Sequence, residues 1–133
     1  MAEQAKATLT IGSWNEGPYQ EWDSGAKLVK ASVTGTFAGD IEGDGSSEML
    51  MAYRSASSAS FTGLQLVDGS VGGRSGRFVI ELSGTFEAGT ATVAWTVVPG
   101  SGTGELAGIT GTGGYTAGPG DFPTITVGLD YDL

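Results

Sequence analysis

Apolar residues recur at every second position of this chain, in short runs that are separated by clusters of glycine and serine. In the run RFVIELSGTF, Phe78, Ile80 and Leu82 fall on one side of an extended backbone, while Arg77 and Glu81 fall on the other. No window keeps apolar residues at helical spacing over three turns. This alternation predicts β-strands with one buried and one solvated face, which is typical of antiparallel sheets.

The same pattern divides the chain into eight strands. The predicted strands are Lys6–Trp14, Lys27–Glu42, Ser47–Ser55, Ser60–Val67, Gly76–Phe86, Thr90–Val98, Gly108–Thr116 and Pro123–Leu133. Most connections between them are short, which favours an antiparallel meander. The prediction is an all-β fold, an eight-stranded antiparallel closed barrel whose interior is filled or holds one small ligand. A two-sheet sandwich fits the same alternation.

Length and composition narrow the range of functions. A chain of 133 residues suits one domain, residues 1–133. The chain has no cysteine and no histidine, which excludes disulfides, thiol and Ser-His-Asp catalysis and most zinc sites. Its net charge of −9 argues against nucleic acid and anionic membranes as partners. The N-terminal segment MAEQAKATLTIGS lacks a long apolar run, so we expect no signal peptide and a cytoplasmic protein.

The stretch PGSGTGELAGITGTGGY, residues 99–115, is rich in glycine but does not have the pattern of a phosphate-binding loop. Such a loop needs Lys followed by Ser or Thr after its glycines, whereas Gly104 is followed by Glu105 and Leu106. Glycine also serves at left-handed turns and bulges, where a barrel bends sharply. We therefore expect positive φ or bulges at some members of this set: Gly102, Gly104, Gly108, Gly111, Gly113 and Gly114.

The segment GDIEGDGSSEML, residues 39–50, imitates the start of a calcium loop. Asp40, Glu42 and Asp44 supply alternate oxygens, but the twelfth position, which requires a bidentate Glu, is Met51, and Glu48 is at the ninth. An acidic hairpin turn without a metal is therefore the prediction.

The segment SWNEGPYQEWDSG, residues 13–25, is predicted to be irregular and carries three large aromatic residues, Trp14, Tyr19 and Trp22. Two interpretations compete for them. They plug one end of the barrel as core, which the usual burial of aromatics favours, or they form a lid over a pocket.

The segment SSEMLMAYRS, residues 46–55, has two mixed faces. One face presents Glu48 and Arg54, and the other presents Met49, Met51 and Tyr53. If the first face points inward, a buried carboxylate becomes available for proton transfer. If the second does, adaptable methionines and a phenol line the cavity. In a third interpretation, the charged residues of this segment lie on an exposed face and form salt bridges there.

The C-terminal third resembles known proteins. The segments GSGTGELAGITGTGGY and FPTITVGLDYDL resemble the end of plant allene oxide cyclases, and dirigent proteins have a similar glycine-rich segment. With SWNEGPY, GDIEGDGSSEMLMAYR, GGRSGRFVIELSGTFE and WTVVPGSGTGELAGI in order, the whole chain resembles a bacterial family of domains of unknown function with that barrel. The resemblance implies an allene oxide cyclase-like or calycin-like barrel with a central cavity, often oligomeric. It also implies relatives among cyclases that use no cofactor.

These observations lead to a functional prediction. We expect a barrel that binds an apolar or amphipathic small molecule without a cofactor, and that forms a homo-oligomer as the resemblance implies. One hypothesis is a cofactor-free isomerase or cyclase in which Glu48 or Tyr53 polarises the substrate. The others are a non-catalytic carrier and a structural protein with a filled interior. The residues expected to line the cavity are Met49, Met51, Phe78, Phe86 and Trp95.

Overall fold

The structure, a computed structural model, describes residues 3–133 and is almost entirely strand. Its elements are β1 Glu3–Glu21, β2 Lys27–Gly39, β3 Ile41–Ser55, β4 Ser58–Val71, β5 Arg74–Glu87, β6 Thr90–Val97, the short 3-10 helix η1 Gly104–Leu106, β7 Thr110–Ala117 and β8 Thr124–Asp132. Each strand pairs antiparallel with its neighbours in sequence, and β8 pairs with β1 to close the barrel. The predicted eight-stranded antiparallel barrel is confirmed.

The barrel has two different ends. We call the end that carries the β2–β3 and β4–β5 turns the lower end, and the end that carries the β1–β2 and β3–β4 turns the upper end. At the upper end β1 extends beyond β8, because their pairing stops at Thr10 and Thr124. Ile11 donates one further backbone hydrogen bond, 2.9 Å, to the Pro123 carbonyl. Beyond that point, Ser13 to Glu21 pair with β2 alone among the described strands.

The glycine-rich connection between β6 and β7 closes the lower end. It lies along the first part of β5, where the Thr103 N–H donates to the Arg77 carbonyl at 2.9 Å. Its apolar residues Leu106 and Ile109 are completely buried, so they act as a plug of the core. The expected positive φ is confirmed at three of the six glycines, with values of 58° at Gly104, 87° at Gly108 and 144° at Gly114.

The N-terminal strand is longer than predicted. The segment expected to be irregular continues β1 through Gly17 and Pro18 to Glu21, with register shifts between Ile11 and Ser13 and between Pro18 and Gln20. Proline lacks an N–H and is tolerated in a strand that has a free edge. The interpretation of its aromatics as core is wrong, because Trp14, Tyr19 and Trp22 are 43%, 56% and 50% exposed.

The acidic hairpin turn lies earlier in the chain than predicted. The last paired residues of β2 and β3 are Phe37 and Gly43, so the turn is centred on Asp40, whose carboxylate accepts a 2.9 Å hydrogen bond from the Lys6 backbone N–H. Glu42 and Asp44 are exposed on the outer face of β3. Within residues 3–133, no three acidic, His or Cys side chains are grouped so as to hold a metal ion. In that same range, no helix has the length and apolarity needed to cross a membrane.

Candidate functional site

The alternation along β3 decides which residues face the interior. Ser47, Met49 and Met51 are buried and Tyr53 is partly buried, whereas Glu48 between them is exposed. The second of the two faces considered for this strand is therefore the inner one. β3 thus presents a hydroxyl, two thioethers and a phenol to the interior.

A cavity of about 240 Å³ occupies the upper half of the barrel. This volume exceeds the roughly 150 Å³ of an apolar cavity that holds benzene and lies below the roughly 300 Å³ at which drug-sized pockets begin. Trp95 belongs to the wall and is completely buried, with its ring edge-on to Phe37 at 6.3 Å and to Tyr115 at 6.0 Å between centroids. The apolar part of the lining is Leu9, Ile11, Val33, Met49, Met51, Phe61, Leu82, Phe86, Ala91, Phe122 and Ile125, together with the Trp95 ring.

Most of the predicted lining residues border this cavity. Met49, Met51, Phe86 and Trp95 all belong to its wall. Phe78 does not, because it lies near the start of β5 at the lower end, where it is completely buried in the core. Alternation places Phe78 in the apolar phase of β5, but it does not determine the height of a residue along the barrel.

Three polar side chains border the cavity without a side-chain partner among residues 3–133. They are the Ser47 hydroxyl, the Gln65 amide and the Tyr115 hydroxyl. The first two belong to buried residues, and the Trp95 Nε1 atom is itself buried and makes no hydrogen bond. Burial raises the pKa of Tyr115 to about 12, so its phenol stays protonated and available as a donor at neutral pH.

At the cavity mouth, Glu16 from the free upper part of β1 joins two aromatic donors. The Trp14 indole N–H donates to Glu16 Oε2 at 2.7 Å, and the Tyr53 hydroxyl donates to Glu16 Oε1 at 3.1 Å. Burial, followed by the charge and hydrogen bond of Glu16, raises the pKa of Tyr53 to about 12. The Lys27 ammonium lies 5.0 Å from the centre of the Tyr53 ring. The mouth therefore holds a carboxylate beside a protonated phenol.

Of the two residues predicted to be catalytic, only Tyr53 borders the cavity. Glu48 lies on the outer surface, where the Ser32 hydroxyl donates to its Oε2 at 2.6 Å. Its side chain leaves the opposite face of β3 from Met49, so it is not a group of the cavity. Arg54 also lies outside, in a 2.7 Å ion pair with Glu87.

The three residues considered for a lid are separated in the structure. Trp14 borders the cavity at its mouth, together with the partly exposed Phe122 from the β7–β8 connection. Tyr19 borders a shallow groove on the outer surface, and Trp22 lies beside the β1–β2 turn. Only Trp14 is therefore placed to cover the opening.

Sequence reasoning missed several groups of this site. Glu16 lies in the segment that the sequence predicts to be irregular, because Gly17 and Pro18 normally interrupt a strand. Gln65 carries a signal that could have been used, since it is a polar residue in the apolar phase of β4, between Gly63 and Val67. Tyr115 ends the glycine-rich stretch and lies in the predicted strand Gly108–Thr116, but no local pattern marks it as part of a cavity wall.

Comparison with known proteins agrees with this architecture. A family model described as "Protein of unknown function (DUF3224)" matches residues 5–129. The chain belongs to the DUF3224 family. This confirms the expected membership in a family of unknown function with an eight-stranded barrel.

A solved structure extends the comparison over nearly the whole DUF3224 chain. The crystal structure of a DUF3224 protein of unknown function from Shewanella oneidensis MR-1 has 27% sequence identity and a TM-score of 0.74, and the match covers 98% of each chain. No protein with a curated description matches this DUF3224 chain. The family and the fold are thus shown, and neither match carries a stated activity.

Proposed function

We propose that this protein binds a compact apolar or amphipathic molecule in the upper cavity of its barrel. The observation that carries the proposal is an interior space of about 240 Å³ with a mainly apolar wall, bordered by the polar side chains of Ser47, Gln65 and Tyr115. Protein interiors are normally packed without voids larger than a water molecule. A space of this size inside a barrel that is otherwise well filled favours a ligand.

The proposal is tested by filling the cavity from a single strand. Ala91 on β6 is buried and borders the cavity, whereas Ala94 on the same strand is exposed on the outer face. Ala91→Phe inserts a ring into the space, and Ala94→Phe places the same ring in solvent. Isothermal titration calorimetry with tetralin, a bicyclic hydrocarbon, measures binding to each variant.

We expect saturable binding by the wild-type protein and by Ala94→Phe, and loss of binding in Ala91→Phe. Circular dichroism shows whether each variant retains its sheet. Absence of saturable binding by the wild-type protein would mean that the cavity is not a ligand site for a molecule of this class.

A second candidate function is a cofactor-free isomerase or cyclase, and the pair of Glu16 and Tyr53 favours it. A carboxylate is able to take a proton from carbon, and the Tyr53 hydroxyl, once it turns from Glu16 Oε1 to the ligand, is a protonated donor for the oxygen on which negative charge develops. In an enolisation, the ligand's C–H proton passes to Glu16, the C–H electron pair forms a C=C bond, and the π electrons of the C=O bond move onto its oxygen. Return of the proton to carbon restores the ketone. These two groups at the mouth of an apolar cavity suit such a proton transfer.

Deuterium exchange distinguishes the enzyme from the carrier. With 1-tetralone in D2O, proton NMR follows loss of the protons next to the carbonyl. An enzyme exchanges them faster than buffer does, and Glu16→Gln and Tyr53→Phe lower that rate. Glu48→Gln, on the outer surface, is the matched control and leaves it unchanged. Binding of 1-tetralone without exchange above the buffer rate would refute the catalytic candidate and leave the carrier.

A further inference from the structure

Two polar side chains lie in the cavity wall on neighbouring strands. Ser47 on β3 and Gln65 on β4 are directly opposite each other in the antiparallel register, and both fall in the inward phase of their strands. The two residues are only 7% and 6% exposed. Opposite residues of such strands have their Cβ atoms about 5 Å apart, so the hydroxyl and the amide are neighbours. We call these two side chains the polar pair.

The polar pair is open to the cavity. Neither of its side chains makes a hydrogen bond with another residue in the described range 3–133. In that range, the polar side-chain atom that is both fully enclosed and unbonded is Trp95 Nε1, so the unbonded polar atoms of Ser47 and Gln65 keep some accessible area. Both residues border the cavity and point away from the outer face of the sheet. The accessible area of their polar atoms therefore faces the cavity.

The polar pair lies at the floor of the cavity, away from its mouth. β3 runs from the lower to the upper end, and Ser47 precedes Tyr53 of the mouth by six positions, about 20 Å of strand. A Cβ at Gly45, which also borders the cavity, would lie 3.1 Å from Gln65 Nε2, so the amide nitrogen lies on the lower side of Ser47. A ligand that fills the cavity therefore meets the polar pair with its deeper end.

The hydrogen-bonding capacity of the polar pair selects the group at that end. A glutamine amide donates through its nitrogen and accepts through its oxygen, and a serine hydroxyl does both. A ketone oxygen only accepts, so it gives nothing to the acceptors of the pair. A hydroxyl group both donates and accepts. Because polar atoms without partners are costly in an apolar site, the polar pair favours an alcohol over a ketone or a hydrocarbon.

The charges around the cavity exclude an ionic group at the floor. The lining residues include no lysine or arginine, and their one carboxylate, that of Glu16, lies at the mouth. A carboxylate ligand would lose its hydration without gaining a cation, and an ammonium group at the floor would be far from Glu16. An ion withdrawn from water without a counter-charge is much less stable than a neutral polar group. The group that meets the polar pair is therefore uncharged.

We propose that the cavity takes a compact, uncharged alcohol whose hydroxyl group binds at the polar pair. The alcohol donates a hydrogen bond to the Gln65 amide oxygen and accepts one from the Ser47 hydroxyl, while its apolar body lies along Met49 and Met51. This inference rests on the proposed function, because it requires a molecule in the cavity.

Four bicyclic probes of similar size test the assignment by calorimetry with the wild-type protein. Tetralin has no polar group, 2-tetralone only accepts, 2-tetralol donates and accepts, and 2-aminotetralin is positively charged at neutral pH. We expect 2-tetralol to bind about tenfold more tightly than tetralin, which is the net effect of hydrogen bonds to a polar pair without protein partners. The affinity for 2-tetralone should lie between these two, and 2-aminotetralin should bind more weakly than 2-tetralol.

Variants of the polar pair locate the hydroxyl group. Gln65→Met keeps an unbranched side chain but removes the amide, and Ser47→Ala removes the hydroxyl, so each should lower the ratio of the affinities for 2-tetralol and tetralin. Ser46→Ala, which alters the adjacent serine on the outer face of β3, is the matched control and should keep the wild-type ratio. In wild-type protein labelled with nitrogen-15, the side-chain NH2 signals of Gln65 should shift more with 2-tetralol than with tetralin.

The outcomes separate this inference from the function beneath it. Equal affinity for 2-tetralol and tetralin, or for 2-tetralol and 2-tetralone, refutes the alcohol assignment while binding in the cavity stands. Tighter binding of 2-aminotetralin than of 2-tetralol refutes the uncharged class. A wild-type ratio in both Gln65→Met and Ser47→Ala shows that the hydroxyl binds elsewhere and refutes the role of the polar pair. If no probe binds, the proposed function fails and the inference fails with it. The wild-type affinities and NMR shifts decide the matter even if a variant does not fold.

Discussion

Tyr115 should make the protein lose stability at high pH. Its pKa is raised from 10.0 to about 12 by burial, so between these values the unfolded chain releases a proton that the folded chain keeps. The resulting stabilisation is complete below pH 10 and is lost as the pH rises through 12. At about pH 11 the loss from this one group is about 1.4 kcal/mol, and well above pH 12 it approaches about 2.7 kcal/mol.

The variant Tyr115→Phe isolates this contribution. The Tyr115 hydroxyl has no side-chain partner in the part of the chain that the structure describes, so at about pH 8 its removal should change the free energy of unfolding by less than about 1 kcal/mol. Urea unfolding followed by circular dichroism, at about pH 8 and about pH 11, gives the free energy of both proteins. Between the two pH values, the wild type should lose about 1.4 kcal/mol more than the variant.

Other groups also titrate in this range, so the comparison needs a control. Tyr19→Phe, which removes a phenol that is 56% exposed and lies outside the cavity, is the matched control for the loss of a tyrosine hydroxyl. Equal losses in the wild type and in Tyr115→Phe would show that the Tyr115 hydroxyl reaches water, and the description of the cavity wall would be wrong at that point.

Three further predictions concern the scaffold. Leu106→Ala in the plug should cost about 3 kcal/mol and lower Tm by about 10 °C in calorimetry, whereas Leu64→Ala on the outer surface should cost less than about 1 kcal/mol. Gly113→Ala should cost at least about 2 kcal/mol in urea unfolding, since its Cβ would meet the Gly128 carbonyl oxygen, whereas a Cβ at Gly128 meets nothing within 4 Å. Arg54→Met should change stability by less than about 1 kcal/mol, because its ion pair with Glu87 is exposed; a larger loss would contradict that account.

The fold was predictable because alternation and short connections are local properties of the sequence. Phe78, Ile80 and Leu82 lie in one phase of β5, and the same phase is buried in the barrel. The end of β1 was not predictable in this way. Gly17 and Pro18 normally interrupt a strand, and they are accommodated here because β1 has already separated from β8.

The candidate site was less predictable than the fold. The sequence defines two faces of β3, but the packing of the whole barrel decides that Met49 faces inward and Glu48 outward. The height of a residue along the barrel depends on strand register, which is why Phe78 lies below the cavity and Phe86 borders it. The meeting of Glu16 with Tyr53 joins residues of two strands that are not neighbours in the sheet, and no local pattern indicates it.

The free upper part of β1 has a consequence for the self-association of the protein. An unpaired strand edge offers N–H and C=O groups to which a strand of another molecule adds, and this is a common route to aggregation. In β1 the edge is interrupted by Pro18, which has no N–H to offer, and by two shifts in register. Glu16 and Glu21 add negative charge along it. The same segment that leaves the cavity open is thereby protected against growing into an extended sheet.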